Sequence, residues 1–352
     1  MYPKIEIKLQ NILENAAKMK RLCSENNIEL ALATKVLAGN EQIVKELITI
    51  GIDCICDSRI INLKTYEDIA AYKWLIREPA SSEIADVITY SDAAVCSEID
   101  TIRLLDQEAE KQGKTYTVIL MYELGDLREG ANKQEIDVLV GQCLQLTHID
   151  LYGIGANLGC YSAIMPSADN MKELADLGAY LEDKYDIRLF ISGGSSTAYE
   201  MLEAHTLPSR INNLRIGEAI FLGQIPCVQK DIAGFHKNNF MLKAQIVEIK
   251  EKPSVPRGVL GVDSFGKAPV IRDKGIRKRA LLAVGKQDVG LENIFPLDDK
   301  IEVLGGSSDY IIVDITDSET DFKVGDILSF TLNYAGVLQL MSSKYVEKDI
   351  RY

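Results

Sequence analysis

Over roughly the first two-thirds of the chain, short apolar runs rich in β-branched residues alternate with amphipathic stretches of helical length. The runs ELALATK (29–35), GIDCICDS (51–58), YKWLIREP (72–79), VITYSDAAVCS (87–97), YTVILMYEL (116–124), DLYGIGAN (150–157), RLFISGG (188–194) and LRIGEAIFLG (214–223) predict strands. Between them, NILENAAKMKRLCSENN, EQIVKELITIG, SEIDTIRLLDQEAEKQG, KQEIDVLVGQCLQL and DNMKELADLGAYLEDKY carry the 3.6-residue period of helices.

Eight such βα units predict an α/β fold, a closed TIM-type (β/α)8 barrel. An open doubly wound sheet would carry a glycine fingerprint after its first strand, and LALATKVLAGN has none. The rhythm stops near residue 231. NNFMLKAQIVEIKE, IRKRALLAVGKQDV, KIEVLGGSSDYIIVDIT and VGDILSFTLNY read as strands separated by turns, with no helix of normal length until the tail. The expected division is a barrel domain over 1–230 and an all-β domain over 231–352.

Composition narrows the function. With 47% hydrophobic and 26% charged residues, the 352-residue chain has ordinary globular usage. A formal net charge of -13 opposes binding to nucleic-acid phosphates. No stretch reaches the roughly 20 apolar residues of a membrane span, and MYPKIEIKLQ has no apolar signal core, so a cytoplasmic protein is expected. The seven cysteines include no CxxC pair, and the three histidines lie far apart. Neither a disulfide framework, a metal site nor a Ser-His-Asp triad is predicted.

In a (β/α)8 barrel the chemistry sits at the C-terminal strand ends. Lys35 closes the apolar ELALAT strand. Partial desolvation there favours the neutral, nucleophilic amine of a Schiff-base lysine, and the competing reading is a lysine snorkelling to solvent. After strand seven, SGGSS runs into a helical pattern. Its glycines, hydroxyls and N–H groups suit a phosphate, although a plain Gly-Ser loop reads equally well. Thr197 and Glu200 have capping-box spacing. A Schiff-base lysine and a phosphate cradle in one barrel suggest pyridoxal 5'-phosphate. Arg215 in NNLRIGEAIFLG could then face the pyridine nitrogen and keep it unprotonated; otherwise it forms a strand-end ion pair with Glu218 or Asp57.

At these residues the sequence resembles the alanine racemase superfamily of pyridoxal phosphate enzymes over essentially the whole chain. ATKV resembles the cofactor-lysine motif, which implies Lys35 as catalytic lysine. LGDLREG resembles the segment whose arginine touches cofactor and substrate carboxylate, here Arg128. ISGGSS resembles the phosphate loop, implying Ser192, Ser195 and Ser196 as ligands. LRIGEAI implies Arg215 at the ring nitrogen and the Gly217–Glu218 backbone at the phosphate. Asn157 stands where the family usually has a histidine that contacts the cofactor. LNYAG implies Tyr334 as a phosphate ligand, and VLGGSSDYIIVDIT implies Ser308 and Asp309 at the substrate. Within the superfamily, TKV, DSRIINL, LGDLREG, NLGCY, KEKPSVP, GIRKRALLAVGKQDV and SSDYIIVDITD resemble ornithine racemases.

The resemblance implies racemisation of an amino acid, ornithine first and alanine, lysine or serine as alternatives, by two bases. It also implies a head-to-tail homodimer sharing its active sites. Where the family carries its second catalytic tyrosine, AVGKQDV places Lys286, with Asp288 behind it; a surface lysine in a polar turn is the competing reading. Gly39 stands in place of another family tyrosine. Asp309 could pair with a substrate ammonium or simply cap a turn. A decarboxylase of the same fold, a D-amino acid aldolase and a non-catalytic cofactor carrier are the rival functions.

Overall fold

A computed structural model describes residues 1–263, 265–266, 268 and 270–352. It divides into two units, Asn11–Lys237 and Met1–Gln10 with Asn238–Tyr352. The division thus falls a little later than the expected 230, and the first ten residues belong with the C-terminal unit.

In the first unit eight parallel strands close into a barrel: Glu29–Ala33, Cys54–Asp57, Tyr72–Leu75, Ala93–Cys96, Tyr116–Met121, Ile149–Gly155, Phe190–Ser195 and Asn213–Ile216. Each of the eight predicted runs overlaps a barrel strand, because strands wrapped by helices are buried and read as apolar runs. Two runs were too long. Ile84–Tyr90 is a helix that takes up the front of the fourth run, and Glu218–Leu222 is a helix that takes up the end of the eighth.

The interior is filled by Ala31, Ala33, Cys56, Trp74, Ala93, Val95, Ile119 and Met121. Small side chains on strands one, two and four make room for Trp74, whose ring meets Phe190 edge-on with centroids 5.9 Å apart. Helix starts are fixed where the sequence offers caps. Asn132 and Glu135 form a reciprocal box before Lys133–Cys143, and Ser167 with Asn170 does the same before Ala168–Tyr185. The Thr197–Glu200 box does not form. The Thr197 hydroxyl bonds Leu158 O at 3.3 Å and the Glu200 carboxylate pairs with Lys230 at 2.7 Å, so tertiary partners outcompete the local ones.

The second unit is a largely antiparallel sheet in the order Ile294–Pro296, Ile327–Leu332, Phe240–Pro253, Ile276–Leu282, Ile311–Asp314 and Glu302–Gly306. Lys4–Lys8 adds to it, antiparallel to Phe240–Pro253 and parallel to the last strand, Glu347–Arg351. KIEIK alternates as a half-buried strand should, with Ile5 and Ile7 inside. The helix Tyr334–Ser342 breaks the otherwise all-β texture. Among the described residues no helix is long and apolar enough to cross a membrane.

Candidate active site

Lys35 lies just beyond the C-terminal end of barrel strand one, in a single 3-10 turn, Lys35–Leu37. Thr34 sets that end. Its N–H donates to Cys56 O at 2.8 Å and its hydroxyl to the buried Asp57 carboxylate at 2.9 Å. Asp57 also accepts from Arg59 N at 2.9 Å and Asn62 Nδ2 at 3.0 Å. Burial raises the Asp57 pKa against these hydrogen bonds. Strand one is registered on strand eight, with Ala31 opposite Arg215 and Leu32 opposite Ile216. Lys35 and the Arg215–Glu218 segment therefore leave the barrel side by side. The approach is close enough to demand glycine at 217, where a Cβ would sit 2.7 Å from Ala33 O.

Arg215 is buried inside the mouth. Its guanidinium donates to Ser192 Oγ and, at 2.7 Å, to Ala156 O. A Cβ at residue 155 would lie 3.4 Å from Nη1, so Gly155 leaves the room the guanidinium occupies. Burial lowers its pKa, yet a guanidinium keeps its charge at neutral pH. Among the described residues it forms no salt bridge, which removes the expected alternative of an ion pair with Glu218 or Asp57. A buried cation whose partners are both neutral is costly unless another acceptor completes it.

Ser192 has a different post from the one expected. Its hydroxyl donates to Asn213 Oδ1 at 2.5 Å while accepting from Arg215, so it holds the guanidinium and is turned away from the loop. The loop proper is Gly194–Ser196. Ser196 Oγ accepts from Gly217 N at 3.3 Å and Ala219 N at 3.1 Å. Gly217 thus spends its N–H within the protein, and the buried Ser196 hydroxyl keeps its own proton as a donor. Ser195 Oγ lies 3.2 Å from Thr197 Oγ1.

Glu218 opens the following helix, half-buried, within reach of the Lys35 charge. Burial pushes its carboxyl up to about 7, and Lys35 opposes that rise. In the unfolded chain the same group titrates near 4.5. Between those values the folded state holds the extra proton, so stability falls as pH rises through this window. Glu218→Gln removes the penalty. Urea unfolding of the cofactor-free protein should find the variant more stable at pH 8, by at most about 3 kcal/mol, and level with wild type at pH 4. Equal differences at both pH values would contradict it.

Arg128 follows strand five on an exposed turn and forks onto its own neighbour, Glu129, through Nε and Nη2. Partial burial weighs against its charge, and the Glu129 carboxylate more than restores it. The sequence reading missed this pairing. It also left Asp126 without a role. The buried Asp126 carboxylate accepts from three successive N–H groups, Cys160 at 3.2 Å, Tyr161 at 3.1 Å and Ser162 at 3.1 Å, and lies 3.5 Å from Asn157 Nδ2. This nest fastens the turn that carries Arg128 to the one that carries Asn157. Turn glycines flanking both segments, Gly125 and Gly159, were the available hint.

The opposite end of the barrel holds a polar cleft of about 350 Å³ lined by Tyr72, Lys73, Lys114 and Tyr116 among others. Its lysines bond backbone carbonyls, Lys73 to Ile69 O at 2.8 Å and Lys114 to Ile88 O at 3.1 Å.

The C-terminal unit gathers its own expected residues. Lys286 N donates to Ser307 O at 2.9 Å and Gln287 N to Ser308 O at 3.0 Å, which sets Lys286 beside the Ser308–Asp309 turn. The Lys286 ammonium lies 3.2 Å from Asp263 Oδ2 and 4.4 Å from the Phe265 ring centroid. Asp288 does not stand behind it as expected. That carboxylate is buried and accepts from Ser343 Oγ at 2.6 Å. Asp309 accepts from the Ser307 and Ser308 hydroxyls at 2.9 and 3.1 Å, and these bonds lower its pKa. Tyr334 opens its helix after Asn333, whose side chain accepts from Gly336 N at 2.9 Å.

Comparison with known proteins shows the family. Residues 7–224 match the family model described as alanine racemase, N-terminal domain. The ornithine racemase of Acetoanaerobium sticklandii is 43% identical over 352 residues, covering 99% of this chain and 100% of that protein. The lysine racemase of Thermotoga maritima is 36% identical over 351 residues, covering 99% and 98%. Among solved structures, alanine racemase from Bartonella henselae with covalently bound pyridoxal phosphate aligns with a TM-score of 0.73 at 14% identity, covering 99% of each chain. D-threonine aldolase from Filomicrobium marinum aligns with a TM-score of 0.74 at 12% identity, covering 97% and 88%, a likeness of fold. With the matched model spanning the barrel and two full-length relatives above a third identical, the chain belongs to the alanine racemase family.

Proposed function

We propose that this chain is a pyridoxal 5'-phosphate-dependent amino-acid racemase whose substrate is ornithine. The observation that carries the chemistry is the pairing of Lys35 at the mouth with a buried, cationic Arg215 held by neutral groups alone. A pyridine nitrogen lone pair is the acceptor such a guanidinium lacks. The full-length likeness to an ornithine racemase supports the substrate.

The bound cofactor supplies an electron sink that makes the substrate Cα–H acidic. The protein supplies the rest. Lys35 removes or returns the Cα proton on one face. Arg215 has no proton to give at neutral pH, so it restrains that sink and keeps the reaction to proton exchange. Ser196, with Ser195 and the Glu218 N–H, would hold the phosphate, the Gly217 N–H being spent on Ser196, and Tyr334 is retained as a further phosphate ligand. Arg128 meets the substrate carboxylate, its charge shared with Glu129, and Asn157 borders the ring. Lys286 serves as the acid/base on the opposite face, brought by a second copy of the chain, with Ser308 and Asp309 near the substrate. The carboxylate of Asp309, already in its charged form, can pair with the distal ammonium of ornithine.

The test offers single enantiomers of ornithine, lysine, arginine, serine and alanine in D₂O. Ornithine should yield both enantiomers on a chiral column, with deuterium at Cα and no carbon dioxide or keto acid. Turnover of ornithine to the decarboxylated amine, or a preference for alanine, would remove the proposal.

A further inference from the structure

Five of the seven cysteines are shielded. Burial pushes Cys23, Cys56 and Cys143 up to about 12 and raises Cys54 and Cys96 as well, which leaves them poor nucleophiles. The two exposed thiols, Cys160 and Cys227, are 67 positions apart in the chain yet close in space, and although partial burial raises Cys227 too, exposure and proximity set this pair apart. The Cys227 Sγ lies 2.7 Å from Gly159 O, and a Cβ at residue 159 would stand 2.9 Å from that sulfur. Since the planar peptide fixes the carbonyl oxygen against the next Cα, this contact holds Cys227 Sγ within about 5.5 Å of Cys160 Cα. Rotation about the Cα–Cβ bonds then brings the sulfurs toward bonding range.

We propose that Cys160 and Cys227 are a reversible oxidation site, closing to a disulfide on exchange with a small-molecule disulfide. One protein thiolate attacks the reagent, releasing one small thiol and leaving a mixed disulfide. The second protein thiolate attacks that bond, releasing the second small thiol. The protein loses two protons and two electrons, and the reagent gains them. The bond ties the turn after barrel strand six to the segment that follows the Glu218–Leu222 helix. It passes over Thr197, whose side chain already packs against Gly159. The same turn donates Cys160 N to Asp126, so the link fastens the nest that supports Arg128. Neither thiol serves the proposed reaction, so this site stands or falls independently of it.

The test treats the native full-length holoprotein with oxidised glutathione, quenches with acid, alkylates and maps peptides by mass spectrometry. The expected product is one chain lighter by two hydrogen atoms, with the peptides holding Cys160 and Cys227 joined and separated again by dithiothreitol. Cys160→Ser and Cys227→Ser should each carry one glutathione on the remaining partner instead. Glutathione on both cysteines of the wild type without a cross-link, a bond between two copies of the chain, or unmodified thiols would overturn it.

Discussion

Lys35→Ala should abolish racemisation, lowering the rate by about 10⁴-fold or more, because one group both anchors the cofactor and moves the Cα proton. The fold should survive. Lys35 is half-buried beyond the strand end, and the bonds that set that end belong to Thr34, Asp57 and Asn62. Two measurements separate the roles. Borohydride treatment of the wild type followed by peptide mapping should find the cofactor covalently fixed at Lys35, and the variant should yield no such peptide while, with cofactor removed from both, unfolding at the wild-type urea midpoint. Reduction that fixes the cofactor on another lysine would displace Lys35 from the centre of the reaction.

Lys286→Ala should divide the reaction differently. Cofactor binding should persist, since Lys286 belongs to the other unit, and racemisation should fall by about 10²- to 10⁴-fold. A racemase equilibrium allows no lasting bias between directions, so the decisive reading is isotopic. One enantiomer should still exchange its Cα hydrogen with D₂O at the face served by Lys35, without inverting, and the other should lose exchange. Racemisation at the wild-type rate would exclude Lys286 and return it to its partners Asp263 and Phe265 as a structural cation.

The barrel was legible because its strands are buried on both sides. Runs such as ELALA and AAVC have no alternation to misread, and helices such as Lys133–Cys143 and Ala168–Tyr185 carry reciprocal caps. The position of Lys35 followed from the same logic, since a lysine ending an apolar run in this fold stands at the catalytic end. What the sequence concealed was the choice of partners. Ser192 reads as one more hydroxyl of a Gly-Ser loop, yet strand register turns it inward onto Arg215. Asp288 reads as support for Lys286, but burial hands it to Ser343, 55 positions along the chain. The Asp126 nest joins residues more than thirty positions apart, and the Lys4–Lys8 strand pairs with segments near the far end of the chain. Such contacts are settled by tertiary packing, which local pattern does not encode.

The first strand has a consequence for biosynthesis. Lys4–Lys8 lies between Phe240–Pro253 and Glu347–Arg351, both of which are synthesised after the barrel. The nascent chain must therefore keep the Lys4–Lys8 segment waiting through the synthesis of the whole barrel. An expression fragment starting at residue 238 would leave a sheet with an unfilled slot, whereas 11–237 is a natural cut for producing the barrel by itself.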